Sequence, residues 1–167
     1  MKSLIILRHA DADGAVAGGS DFDRTLSDLG KSQAYNQGMV LRQTGISPER
    51  IVASSAVRTM QTAEKLVEGA GLQIEIEPEE TLYNAPGAAL LEFVRGVTVD
   101  CSSMLMVAHL PGVAQLLSLL TTEHEDLAQI YSPGTMAAVQ ASGTNWTDFD
   151  YGTGTLILFL PPIFRLS

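Results

Sequence analysis

The sequence predicts a three-layer α/β/α sandwich built on a mostly parallel sheet with an antiparallel strand. Three observations carry that prediction. Short, almost wholly apolar runs at residues 3–7, 51–54 and 104–107 have the length of strands covered on both faces. Between and after them lie segments with apolar residues at i, i+3, i+4 and i+7, the repeat of a helix with one buried side. The last two strand-like runs, 135–140 and 155–160, have no long helix between them and read as antiparallel neighbours.

Taken in order, residues 3–7 form the first strand. Residues 11–24 are polar and carry Gly14, Gly18 and Gly19, which makes them a mobile loop beside the strand's end. These glycines lack the GxGxxG spacing of a dinucleotide fingerprint. Ser27 is placed to N-cap a helix that runs to Gln43 and ends near Gly45. The second strand, 51–54, leads into a helix over 57–70 with Met60, Ala63 and Val67 on one side. Residues 73–77 alternate polar and apolar, as an edge strand does. Leu90, Phe93, Val94 and Val97 mark an amphipathic helix, and strand 104–107 is followed by Val113, Leu116, Leu117 and Leu120 at the same spacing. Both stripes are core.

The 167 residues suit one domain spanning 1–167, since single domains cluster at roughly 100–150 residues. A hydrophobic share of 46% is ample for a core, and 17% charged residues rule out a disordered chain. No run is long and apolar enough to span a membrane, and the N-terminal apolar run is cut by Arg8, too early for a secretory signal. Cys101 is the one cysteine, which excludes an intrachain disulfide and a four-cysteine zinc site and suits a reducing cytoplasm. With no basic or histidine neighbour in sequence it is read as inert. The net charge of −9 disfavours nucleic acid and anionic membrane as partners. An anionic substrate therefore needs a local cationic pocket.

In an open α/β sheet, ligands bind beyond the carboxyl ends of the strands. Three predicted strands deliver unusual residues there. The first ends in Arg8-His9. The second ends in Ser54-Ser55, with Arg58 on the first turn of the next helix. Strand 104–107 leads to His109, followed by Pro111 at the first helical position. Two arginines and two histidines thus gather at one sheet edge in an acidic protein. Guanidinium groups bind phosphate oxygens through paired charge-assisted hydrogen bonds. A neutral imidazole near arginines is a nucleophile, and a second imidazole can donate to the transferring group.

These residues sit in recognisable motifs. Leu7-Arg8-His9-Ala10 resembles the RHG signature of the histidine phosphatase superfamily. The stretch from Ser54-Ser55 through Arg58 to Gln61-Thr62 resembles its second motif, and Val107-Ala108-His109-Leu110-Pro111 its third. Asp23-Arg24-Thr25-Leu26-Ser27, with Gly30 and Gln33-Ala34, is similar to a segment of the phosphohistidine phosphatase branch. So are Thr81-Leu82-Tyr83-Asn84-Ala85 and Ser132-Pro133-Gly134. The resemblance runs over essentially the whole chain and implies a phosphoglycerate mutase-like fold and a histidine phosphatase. It implies that His9 becomes phosphorylated, with Arg8, Arg58 and His109 around the phosphate and Arg24 and Ser55 as further substrate contacts. No cofactor or metal is implied. Ala10 and Ala108 depart from the family pattern but are small and keep the pocket open.

A third departure bears on substrate. Mutase-like relatives carry a glutamate after a leucine, in a longer insertion, that protonates an alcohol leaving group. Here the matching region reads Leu82-Tyr83-Asn84-Ala85, with no acid. An alkoxide gains roughly 10²–10⁴-fold from a general acid. The imidazole of a phosphohistidine departs neutral when its other nitrogen already carries a proton, so a phosphohistidine in a protein is the expected substrate. The alternative is a small phosphate ester, handled by a phosphatase or mutase with Glu80 or Asp11 as general acid. A further alternative is a catalytically silent module that binds phosphorylated partners. Oligomeric state stays open.

Other residues take plainer readings. A metal site built from His9, His109 and a carboxylate is opposed by the adjacent arginines and matches no zinc spacing. His124, within Thr122-Glu123-His124-Glu125-Asp126, belongs to a solvated acidic loop. Ser54 and Ser55 lack a G-x-S-x-G elbow and are expected to cap the Arg58 helix.

Overall fold

A computed structural model describes residues 1–122 and 127–162. In chain order these form β1 (Ser3–Arg8), α1 (Asp28–Thr44), β2 (Arg50–Ser54), α2 (Val57–Ala70), β3 (Ile76–Glu79), α3 (Gly87–Arg95), β4 (Ser103–Ala108), α4 (Gly112–Leu120), α5 (Leu127–Ile130), β5 (Met136–Ala141) and β6 (Gly154–Leu160). Single 3₁₀ turns lie at Glu80–Leu82 and Trp146–Asp148. Period-two alternation assigns the strand side chains to layers. Leu4 and Ile6 of β1 join Met104 and Met106 of β4 in a core with α3 and α4. Ile5 and Leu7 join Leu105 and Val107 in a second core with α1 and α2. Strands buried on both faces need apolar residues throughout, which is why these runs do not alternate with polar ones.

The sheet order is β3-β2-β4-β1-β5-β6. The strands β3, β2, β4 and β1 run parallel, and β5 is antiparallel to both β1 and β6. The fold is therefore the expected α/β/α sandwich, with the two late strands adjacent and antiparallel. Among the described residues no helix is long and apolar enough to cross a membrane.

Ser27 N-caps α1 by accepting from the Gly30 amide at 3.0 Å, and Gly45 closes it in the left-handed conformation at φ +75°. The helix has little apolar stripe. Its buried side is Gly30, Gln33, Ala34, Gln37, Gly38 and Leu41. Small residues allow α1 and α2 to meet at their backbones instead. A Cβ at Gly38 would strike the Leu66 carbonyl, and one at Gly69 the Tyr35 carbonyl.

Several details differ from the sequence reading. The buried residues of α2 are Arg58, Thr59, Thr62, Ala63, Leu66, Gly69 and Ala70, with Met60 and Val67 only partly covered. The threonines are buried because their hydroxyls bond local carbonyls: Thr59 to Ser54 and Ala56, Thr62 to Arg58. The edge strand lies at Ile76–Glu79 rather than 73–77, in register with β2 from Ile51↔Ile76 to Ser54↔Glu79. Pro78 is tolerated there because an edge strand needs no donor on its open side. Helix α3 ends at Arg95, leaving Val97 to pack against the core from the following loop. Pro111 stands just before α4 as its N-cap residue. The stretch containing His124 lies outside the described residues.

Candidate active site

The register of the parallel strands brings the site together. Arg8 pairs with Ala108, and Ala53 with Val107, so β1, β4 and β2 end at one level. The next residues along β1 and β4 are His9 and His109, whose ring centroids lie 5.4 Å apart. Arg58 rises from the first turn of α2 beside them. The four residues singled out from separate strand ends are therefore neighbours.

The backbone around His9 is closely held. Its amide donates to the Ala108 carbonyl at 3.0 Å, and Gly134 N–H donates to the carbonyls of both Arg8 (3.2 Å) and His9 (3.0 Å). Gly134 has φ +84°, which glycine adopts without strain. The Ala10 amide donates to Thr62 Oγ1 at 3.0 Å. His9 Nδ1 lies 2.8 Å from the Ala10 carbonyl. A carbonyl only accepts, so Nδ1 carries the proton and Nε2 keeps its lone pair. Burial, with the charges of Arg58, Arg8 and Arg24 adding to it, lowers the His9 pKa to about 4 against the pull of the Ala10 hydrogen bond. The ring is neutral and nucleophilic at pH 7.

His109 is neutral as well. Burial and the Arg58 charge lower its pKa to about 3. Arg58 Nη2 approaches its Nδ1 at 3.2 Å and can only donate, so Nδ1 accepts. Nε2–H then donates to Ser54 Oγ at 2.8 Å. This corrects the capping expectation for the serine pair. Ser54 is the last residue of β2 and is turned to His109, Ser55 Oγ has no partner, and α2 has no side-chain cap.

Among the described residues, four buried side-chain polar atoms have no hydrogen-bond partner: Arg8 Nε, Arg58 Nε, Ser55 Oγ and Gln37 Oε1. Three of the four belong to the residue set chosen from sequence. Leaving a buried donor unmade costs about 1–3 kcal/mol, so the three donors among them are free to meet an acceptor-rich ligand. Two guanidinium N–H groups and a hydroxyl suit a tetrahedral oxyanion. Arg8 Nη1 is anchored on the Tyr131 carbonyl at 2.9 Å. No cluster of three or more His, Cys, Asp or Glu that could hold a metal ion occurs among the described residues.

The remaining candidates divide. Arg24 bonds the Asp13 carbonyl at 2.8 Å and the Asp21 carboxylate at 3.1 Å, so it reaches the site through its charge and through Asp21. The Asp11 carboxylate accepts from the Ser27 hydroxyl, and its amide donates to Gln33 at 2.9 Å. Glu80 is exposed on the 3₁₀ turn before Leu82. Cys101 is buried, and burial pushes its thiol pKa up. Sequence reasoning missed Asp21, which sits in the 11–24 loop and accepts from Arg58 and from Tyr83 Oη. Its spacing of three before Arg24 was the available signal. That loop is not a free flap, since Val57 N–H also donates to the Phe22 carbonyl at 3.1 Å.

A family model described as the histidine phosphatase superfamily (branch 1) matches residues 4–82. Among solved structures, the chain is similar to a protein assigned as a phosphohistidine phosphatase, SixA, from Nakamurella multipartitia. The two share 27% identity with a TM-score of 0.82, over 97% of this chain and 96% of that one. A protein assigned likewise from Agrobacterium tumefaciens is 25% identical with a TM-score of 0.76, over 96% of this chain and 98% of its own. An uncharacterized protein of Mycobacterium tuberculosis is 25% identical over 166 residues, 93% of this chain and 99% of its length.

Proposed function

We propose, from the match of residues 4–82 to the histidine phosphatase superfamily and the likeness to a solved structure of that kind, that the chain dephosphorylates phosphohistidine in a protein through a covalent phosphohistidine at His9. The observation that carries this reading is the pairing of a pinned His9, lone pair on Nε2, with the unpartnered donors Arg8 Nε, Arg58 Nε and Ser55 Oγ. Likeness to proteins assigned as phosphohistidine phosphatases supports the substrate class.

In the first step His9 Nε2 attacks phosphorus while the bond to the substrate imidazole breaks. The electron pair leaves with that imidazole, which departs neutral if its other nitrogen is protonated. Arg8 and Arg58 hold the equatorial oxygens, where charge is spread in the transition state. The Ala10 carbonyl keeps the proton on His9 Nδ1, so phospho-His9 is cationic on its ring. Water then attacks phosphorus, His9 leaves neutral, and inorganic phosphate departs with the water's proton passed to solvent or to phosphate. One hydrogen bond thus makes His9 a nucleophile in the first step and a good leaving group in the second. His109 Nδ1, accepting from Arg58 Nη2, helps hold that guanidinium beside His9.

A phosphate ester needs an acid on the leaving-group side. Asp11 is engaged by Ser27 and Glu80 is exposed to solvent. Phosphohistidine peptide is therefore expected to be turned over more efficiently than sugar phosphates or phosphoglycerate, and Glu80→Gln to leave that turnover unchanged. High efficiency on an ester that collapses in Glu80→Gln would replace this reading with the ester phosphatase.

A further inference from the structure

The 11–24 loop enters the site at Asp21. Arg58 Nη1 donates to the Asp21 backbone carbonyl at 2.7 Å, and Nη2 donates to Asp21 Oδ2 at 3.0 Å. The same Oδ2 accepts from Tyr83 Oη at 2.7 Å, while Oδ1 accepts from Arg24 Nη1 at 3.1 Å. The Tyr83 ring stands edge-on to both His109 (5.4 Å) and Phe22 (5.1 Å). The Tyr83 hydroxyl, with Arg24 and Arg58, holds the Asp21 carboxyl well below the usual carboxylate range, so it is charged at neutral pH.

A guanidinium has two edges that offer parallel N–H pairs to an oxyanion: the end-on pair of Nη1 with Nη2, and the side-on pair that includes Nε. In Arg58 the end-on pair is occupied by Asp21, through one backbone and one side-chain oxygen. Nε is the buried donor without a partner. On the side-on edge Nη2 gives its other proton to His109 Nδ1 at 3.2 Å, so Nε–H is the donor that remains for a ligand. Resting on the reading that a phosphoryl group binds between Arg8, His9 and Arg58, we propose that Asp21 is a positioning residue: it grips the end-on fork of Arg58 so that the unpartnered Nε–H faces the transferring phosphoryl group. Tyr83 steadies the carboxylate and, through its ring, ties it to the wall beside His109.

Two roles for Asp21 predict opposite signs. A carboxylate acting only as a nearby negative charge repels a bound anion, and its removal tightens anion binding. A carboxylate that orients Arg58 favours anion binding, and its removal weakens it. Orthovanadate binding is measured by calorimetry on wild type, Asp21→Asn, Asp21→Glu and Tyr83→Phe, with an unfolding midpoint for each.

Asp21→Asn is expected to weaken vanadate binding about tenfold, the scale of one misaligned charge-assisted contact. Asp21→Glu recovers part of the loss, and Tyr83→Phe loses less than Asp21→Asn. In turnover of a phosphohistidine peptide, kcat falls more than KM rises. Binding by Asp21→Asn that equals or exceeds wild type, at an unchanged midpoint, overturns the assignment and leaves the site's function standing. Failure of wild type to bind vanadate overturns the reading of the site and this inference with it. Should Asp21→Asn not fold, Tyr83→Phe decides: weaker vanadate binding supports the assignment, and equal or tighter binding overturns it.

Discussion

Acidification from pH 7 to pH 5 is expected to destabilise the protein through His9 and His109. In the unfolded chain both histidines titrate at the ordinary value of 6.5; in the fold they titrate at about 4 and about 3. Below pH 6.5 the unfolded state therefore binds protons that the folded state refuses. Stability rises with pH across this window and is lost as pH falls from 6.5 toward 4. Over the interval from pH 7 to 5, each histidine withdraws about 2 kcal/mol, and the pair about 4 kcal/mol. Asp21 titrates below this window and does not contribute. Urea unfolding of wild type and His9→Gln at pH 7, 6 and 5 measures the effect. Groups common to both proteins cancel in the comparison, and the variant should lose about 2 kcal/mol less than wild type on acidification. An identical pH dependence in the two proteins would refute a depressed His9.

Thr62→Val keeps shape but leaves the Ala10 amide and its neighbourhood without an acceptor. It should cost about 1–3 kcal/mol in urea unfolding and lower kcat about tenfold, because Ala10, whose carbonyl fixes the His9 ring, loses the anchor of its amide. Gly69→Ala drives a methyl group into the Tyr35 carbonyl, whereas a Cβ at Gly14 meets nothing within 4 Å. The first change should destabilise by about 1–3 kcal/mol despite alanine's better helix propensity, and Gly14→Ala should leave the unfolding midpoint unchanged.

The four residues at the strand ends were legible because topology does the work. Parallel strands of similar length end at one level, so Arg8-His9, His109 and the Ser54–Arg58 turn must meet wherever the helices pack. What sequence could not give depends on contacts between distant loops. Asp21 reaches Tyr83 across sixty-two positions, in a polar stretch with no periodicity to register it. The buried face of α2 was misread because threonine counts as polar until its hydroxyl is seen to bond the turn beneath it. The edge strand was displaced because residues 73–77 alternate equally well, and only pairing with β2 selects Ile76–Glu79.

The claim that His9 is the nucleophile is tested most directly by trapping. Brief reaction with a phosphorus-labelled phosphohistidine peptide and an alkaline quench should leave acid-labile label on the wild-type chain, located at His9, and none on His9→Ala. Label that persists in His9→Ala, or wild-type turnover with no labelled protein at any time, would contradict it.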